Sequence, residues 1–129
     1  VSSLLTGAWT IKRGATSPPY RATLRQANKT PIDLSGADHA NFVMRLRNET
    51  VPTVDAQASI IQSGDALTGT DVGVVEYDWV LGDTDVAGVY DVEFALYDIN
   101  GAVYARIPND SYLEVQILGN LSSVGPTGT

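Results

Sequence analysis

The sequence predicts an all-β sandwich, and three observations carry that prediction. Side chains alternate strictly through residues 89–97, where Tyr90, Val92, Phe94 and Leu96 share one face and Asp91, Glu93 and Ala95 share the other. Turn signals separate such runs along the whole chain, led by Asn100-Gly101, the pair that best supplies the two positive φ angles of a type I′ hairpin. No stretch repeats apolar residues at helical spacing over three turns, and Asp (eleven) outnumbers Glu (four), as befits a chain rich in turns.

The stretch 73–108 organises the rest. Val74, Tyr77, Trp79 and Leu81 favour strand, and the alternation puts Tyr77, Trp79 and Leu81 on one face with Glu76 and Asp78 opposite. GDTDVAG then breaks the regular structure before the 89–97 strand. After the Asn-Gly turn, AVYARI reads as the second arm of a hairpin.

Upstream, residues 1–8 read as an N-terminal arm in which Leu4 and Leu5, with Trp9 beside them, offer a docking segment; a frayed terminus is the alternative. Residues 9–13 form a first short strand, and SPP at 17–19 excludes central-sheet pairing there. YRATL at 20–24 alternates as a second strand, QANKTP turns, and a short apolar piece at 32–34 precedes the SGAD break. Residues 41–47 place Phe42, Met44 and Leu46 inward. Residues 54–60 put Val54, Ala56, Ala58 and Ile60 on one side, and a long Gly/Asp/Thr loop follows at 63–73. The last strand, 112–118, turns Leu113, Val115 and Ile117 to one face. About seven to nine short strands spanning 9–118 make one antiparallel sandwich domain.

Composition narrows the function classes. A chain of 129 residues is one domain that can bury roughly two-thirds of its unfolded surface without staples. It has no cysteine, which excludes disulfides and thiolate metal sites. The net charge of −7 opposes nucleic acid and anionic membrane surfaces, which require a positive footprint. No apolar run approaches the roughly 20 residues of a membrane span. The start, VSSLL, carries neither Met nor a basic leader and reads as processed or trimmed.

Few residues suggest chemistry. His39 is the single histidine and stands in a turn without a partner base or co-ligand, so a solvated or capping role is favoured. No nucleophile elbow or phosphate-binding glycine loop is present, and the chain is read as a non-enzyme without cofactors. Asp83, Asp85 and Asp98, with Asp65, Asp71 or Asn100, are weak Ca²⁺ candidates, set against the ordinary use of Asp in turns. Four Asn-X-Ser/Thr sequons, at Asn28, Asn48, Asn109 and Asn120, carry little weight in turns built from the same residues. Tyr97, Tyr104 and Tyr112 could form a stacking platform, which gives the alternative reading of a carbohydrate- or surface-binding adhesion module.

The segment 83–92 is more specific. Asp85, Ala87, Gly88 and Tyr90 resemble, at slightly different spacing, the corner pattern of immunoglobulin-like domains, where a tyrosine two residues before an inward core position closes the corner with its hydroxyl. Val92 takes that core position, with Phe94 following it inward and Trp79 as a core anchor. The order of motifs, from Trp9 through PIDLSGA and NFVMRLR to VVEYDWVLGDTDVAGVYDVEF, the Asn-Gly hairpin and IPNDSYLEVQIL, resembles the N-terminal domain family of phage upper baseplate proteins. The resemblance covers roughly residues 7–118 and departs from the family in the acidic loop at 63–73 and the leucine-bearing arm. It implies an immunoglobulin-like virion domain that attaches a fibre or other appendage to capsid, neck or baseplate, with other virion proteins as partners and no catalytic residue. Residues 119–129 form a Gly/Ser/Pro tail ending Gly-Pro-Thr-Gly-Thr, the start of a Gly-X-Y register. Extended, that register would make a collagen-like stalk and a homotrimer; a plain disordered tail is the favoured alternative for so Gly/Pro-rich a segment.

Overall fold

The computed structural model describes residues 8–26, 28–65, 67–108 and 112–119. Among them are eight strands and no helix: β1 (Ala8–Lys12), β2 (Tyr20–Thr23), β3 (His39–Leu46), β4 (Val54–Ile60), β5 (Val74–Tyr77), β6 (Gly88–Tyr97), β7 (Val103–Ile107) and β8 (Leu113–Leu118). The arm leucines Leu4 and Leu5, the sequons at Asn109 and Asn120, and the Gly-X-Y tail lie outside the described residues.

The strands pair in the order β1-β8-β6-β3-β4-β5-β2, with β7 also on β6. β6 is the spine. It pairs with β3 along its length, from Leu46↔Tyr90 to His39↔Tyr97. Its other edge is shared: β8 takes Gly88 to Val92, and β7 takes Phe94 to Tyr97. β4 joins the two layers, pairing with β3 through Val54 to Ala58 and with β5 through Ser59 and Ile60. The smaller layer is completed by the antiparallel β2–β5 pair. One departure from an all-antiparallel arrangement is β1, which runs parallel to β8 from Ala8↔Glu114 to Lys12↔Leu118. The path curls so far that its terminal strands meet, with the rings of Trp9 and Tyr20 5.2 Å apart. With β2 and β5 on one side and β3, β6 and β8 on the other, the curled mixed sheet makes an all-β, sandwich-like fold.

Alternation becomes burial where a strand faces the opposite layer. Phe42 and Met44 of β3, Tyr90, Val92, Phe94 and Leu96 of β6, and Val115 and Ile117 of β8 are all buried. The centre is aromatic. Phe42 stacks on Tyr77 at 4.4 Å and meets Trp79 and Phe94 edge-on at 5.6 and 5.5 Å. Trp9 stacks on Trp79 at 5.7 Å, so this residue of the expected docking segment belongs to β1 and packs on the core. The 32–34 piece forms no strand, yet Leu34 is buried.

Gln62 explains how that irregular piece is held. Its Oε1 accepts from the Leu34 and Gly73 amides at 2.8 and 3.0 Å, and its Nε2 donates to Asp33 Oδ1 and the Gly64 carbonyl at 2.8 and 2.9 Å. One side chain therefore ties the loop 24–38 to the loop 61–73. Gly73 fits there because a Cβ would come within 2.8 Å of the Leu24 carbonyl, and its φ is +79°. Gln62→Ala orphans two part-buried amides and is expected to destabilise the domain by about 2–3 kcal/mol. Urea denaturation would measure the loss, and faster hydrogen exchange at Leu34 and Gly73 would locate it.

Candidate binding surface at one end of the sandwich

Strand directions place the connections 13–19, 47–53 and 78–87, together with the end of β8, at one end of the sandwich. The connections 24–38, 61–73 and 98–102 lie at the other end. The β5–β6 connection, 78–87, stands out because its backbone is pinned from inside while its apolar side chains face water.

Asp83 builds the turn. Its Oδ2 accepts from the Val80 amide at 2.8 Å and from the Tyr77 hydroxyl at 2.6 Å, while its own amide donates to the Val80 carbonyl at 2.9 Å. This ends β5 at Tyr77 and corrects the longer strand expected through Leu81. Trp79 stays in the core as expected, but Leu81 is 85% exposed instead of facing inward with it. Next, Thr84 is only 1% exposed. Its hydroxyl donates to the Ala15 carbonyl at 2.8 Å and its carbonyl accepts from the Gly14 amide at 3.0 Å, which fastens the loop to the β1–β2 connection. Finally the buried Tyr90 donates its hydroxyl to the Val86 carbonyl at 2.7 Å, closing the corner expected from the sequence, with Val92 buried two residues on. Gly88 lets β6 begin beside Leu46, whose Cδ1 would lie 2.9 Å from a Cβ there.

The outcome is a preorganised loop that presents Val80, Leu81 and Val86 to solvent, the outer two each 59% exposed. Val51 of the β3–β4 turn and Leu118 at the end of β8 are exposed at the same end. Tyr90→Phe removes the corner hydrogen bond while keeping the ring, and is expected to cost about 1 kcal/mol. Urea denaturation should show a lower midpoint at unchanged m value.

The expected Ca²⁺ residues are not brought together. Asp83 and Asp85 precede β6 and Asp98 follows it, so a ten-residue strand of roughly 30 Å separates them. Asp83 is occupied as described, and Asp98 Oδ1 accepts from the Asn100 and Ala102 amides in the hairpin turn. Among the described residues no group of three acidic or His side chains is placed to hold a metal. The tyrosine platform is also divided: Tyr97 stacks on His39 at 4.5 Å, Tyr112 lies against the Arg45 guanidinium at 5.3 Å, and the Tyr104 phenol is raised by burial and by the charges of Asp33 and Asp98. His39 is further engaged through Nδ1 with Asp38 at 2.9 Å.

Sequence reasoning passed over Thr84 and took Leu81 for core. The signal that could have found the turn is the Asp three residues after Val80, whose carboxylate can reach back to an amide as a local turn former. No family model matches the chain, and comparison with curated proteins and with solved structures gives no match.

Proposed function

We propose that this domain is a non-enzymatic structural module of a bacteriophage virion, which seats a fibre or other appendage on the capsid, neck or baseplate. The observation that carries the reading is the β5–β6 loop: three apolar side chains held in water by a backbone tied down at Asp83, Thr84 and Tyr90. Apolar groups fixed in solvent gain by being covered, and a loop that is already ordered loses little conformational freedom on docking. The resemblance in the order of the PIDLSGA, DTDVAGVYDVEF and proline-led motifs supplies the virion setting. In that setting the domain works in several copies, and a trimer suits the Gly-X-Y register after β8.

Immuno-electron microscopy of assembled particles with an antibody to the domain tests the proposal. Regular labelling at one particle location is the expected result. Particles assembled with Leu81→Ser and Val86→Ser should lose the label although the isolated variants keep their melting temperature. Unlabelled parent particles, or full incorporation of the double variant, would refute the reading.

A further inference from the structure

We propose that the outward face of the larger layer carries a binding site for a neutral saccharide, seated over Arg45 and Tyr112 in a depression of about 250 Å³. It lies on the flat of β3, β4 and β6 and reaches the 47–53 turn through Thr50 and Pro52, but takes no residue of the β5–β6 loop, so variants in that loop test the two readings separately.

The charge arrangement selects the ligand class. Arg45 and Arg106 line the depression together with Asp55, Asp91 and Glu93. Glu93 Oε2 holds Arg106 at 3.1 Å, and Asp91 Oδ1 is taken by Arg47 at 2.8 Å. An anion entering here meets three carboxylates, and a cation meets two guanidinium groups. Hydroxyl groups both donate and accept, so a sugar can use both sets and brings no charge of its own to be desolvated.

Arg45 is the less tightly paired of the two arginines beside Asp91. Among the described residues its Nε is buried with no hydrogen-bond acceptor, and its Nη2 lies 3.7 Å from Asp91 Oδ2. The exposed third of the side chain lines the depression, where a hydroxyl can reach it. The Tyr112 ring, half-exposed, packs on Arg45 and supplies an aromatic surface at the rim. The negative face of such a ring attracts the weakly positive C–H bonds of a pyranose, while the ring hydroxyls reach the charged side chains around it. The volume falls just below the range of roughly 300–1,000 Å³ typical of small-molecule pockets, which suits one or two sugar rings.

The test is an NMR titration of the ¹⁵N-labelled chain with glucose, galactose, N-acetylglucosamine and rhamnose, each to about 50 mM, well into the weak-binding regime. Acetate serves as the anion control. The expected result is a saturable shift, with at least one sugar, of amides at Val43, Arg45, Glu93, Arg106 and Tyr112. Tyr112→Ala and Arg45→Met should each weaken that binding by about tenfold or more, the loss expected when a central contact is removed. Leu81→Ser should leave it unchanged. The proposal is overturned if none of the four sugars moves these amides, if acetate moves them as readily, or if Tyr112→Ala binds like the parent. Tyr112 is exposed, so its variant folds even if the Arg45 variant does not.

Discussion

Phe42→Ala is expected to lower the unfolding free energy by about 3–5 kcal/mol, a large part of the 5–15 kcal/mol that holds a typical domain together. Phe42 is fully buried on β3 of the larger layer, and its ring reaches Tyr77 of β5 and Tyr20 of β2 in the smaller one. Phe94 and Trp79 close around it. Each of those rings touches at least one of the others: Tyr20 stacks on Phe94 at 6.2 Å and Tyr77 meets Trp79 edge-on at 5.5 Å. The walls of the cavity therefore brace each other and cannot collapse inward, which places the cost toward the upper part of that range. Urea denaturation should show the loss as a lower midpoint, with Phe42→Leu losing under about 1.5 kcal/mol. If Phe42→Ala lost less than about 1 kcal/mol, the layers would not be joined through these rings.

That core was readable because period two is a statement about faces. Once β6 alternates over Tyr90, Val92, Phe94 and Leu96, its inward side is determined, whatever its neighbours are. The bounds of β4 follow equally directly, since Pro52 before it and the turn residues after it leave no other start or stop. Partners were not readable in the same way. Nothing in VDAQASI says that its first five residues pair with β3 and its last two with β5, because that switch depends on how far the sheet curls. The parallel contact of β1 with β8 joins residues over a hundred positions apart and has no local signature.

The candidate surface was half legible, for a related reason. Tyr77, Trp79 and Leu81 keep perfect alternation, and the hydrogen bonds that Asp83 makes with Tyr77 and Val80 stop the strand before Leu81 joins the core. A period cannot announce a bond that interrupts it. Arg45 shows the converse. Its place on the outward face was legible from the alternation of 41–47, but its looser pairing was not. Arg47 takes Asp91, 44 positions away, at 2.8 Å and leaves Arg45 the longer 3.7 Å approach. Competition between two neighbours for one carboxylate is settled by geometry alone.

Alkaline pH should unfold the domain at ordinary temperature, beginning where unfolded tyrosine ionises, near pH 10. Burial raises the Tyr20 phenol far above that value. For Tyr77 burial acts first, and then its hydrogen bond to Asp83 and the negative charge of that carboxylate, which an adjacent phenolate would oppose at 2.6 Å. Burial raises Tyr90 as well. A folded-state pKa above the unfolded one means that the native chain keeps protons which the unfolded chain has lost. The stability these groups contribute is therefore fully present below about pH 10 and is lost as pH climbs toward their folded values. Each such tyrosine steepens the loss by up to about 1.4 kcal/mol per pH unit, so Tyr20 and Tyr77 together remove about 3 kcal/mol per unit. Melting temperatures followed upward from pH 8 should hold level and then fall steeply, with tyrosine absorbance rising at the unfolding transition instead of before it. Tyr77→Phe cannot ionise and should flatten the fall by about one tyrosine's share, although it starts from a lower stability because the Asp83 hydrogen bond is gone. A variant that falls as steeply as the parent would show that Tyr77 ionises freely in the folded chain, and that its bond to Asp83 does not hold the β5–β6 loop in place.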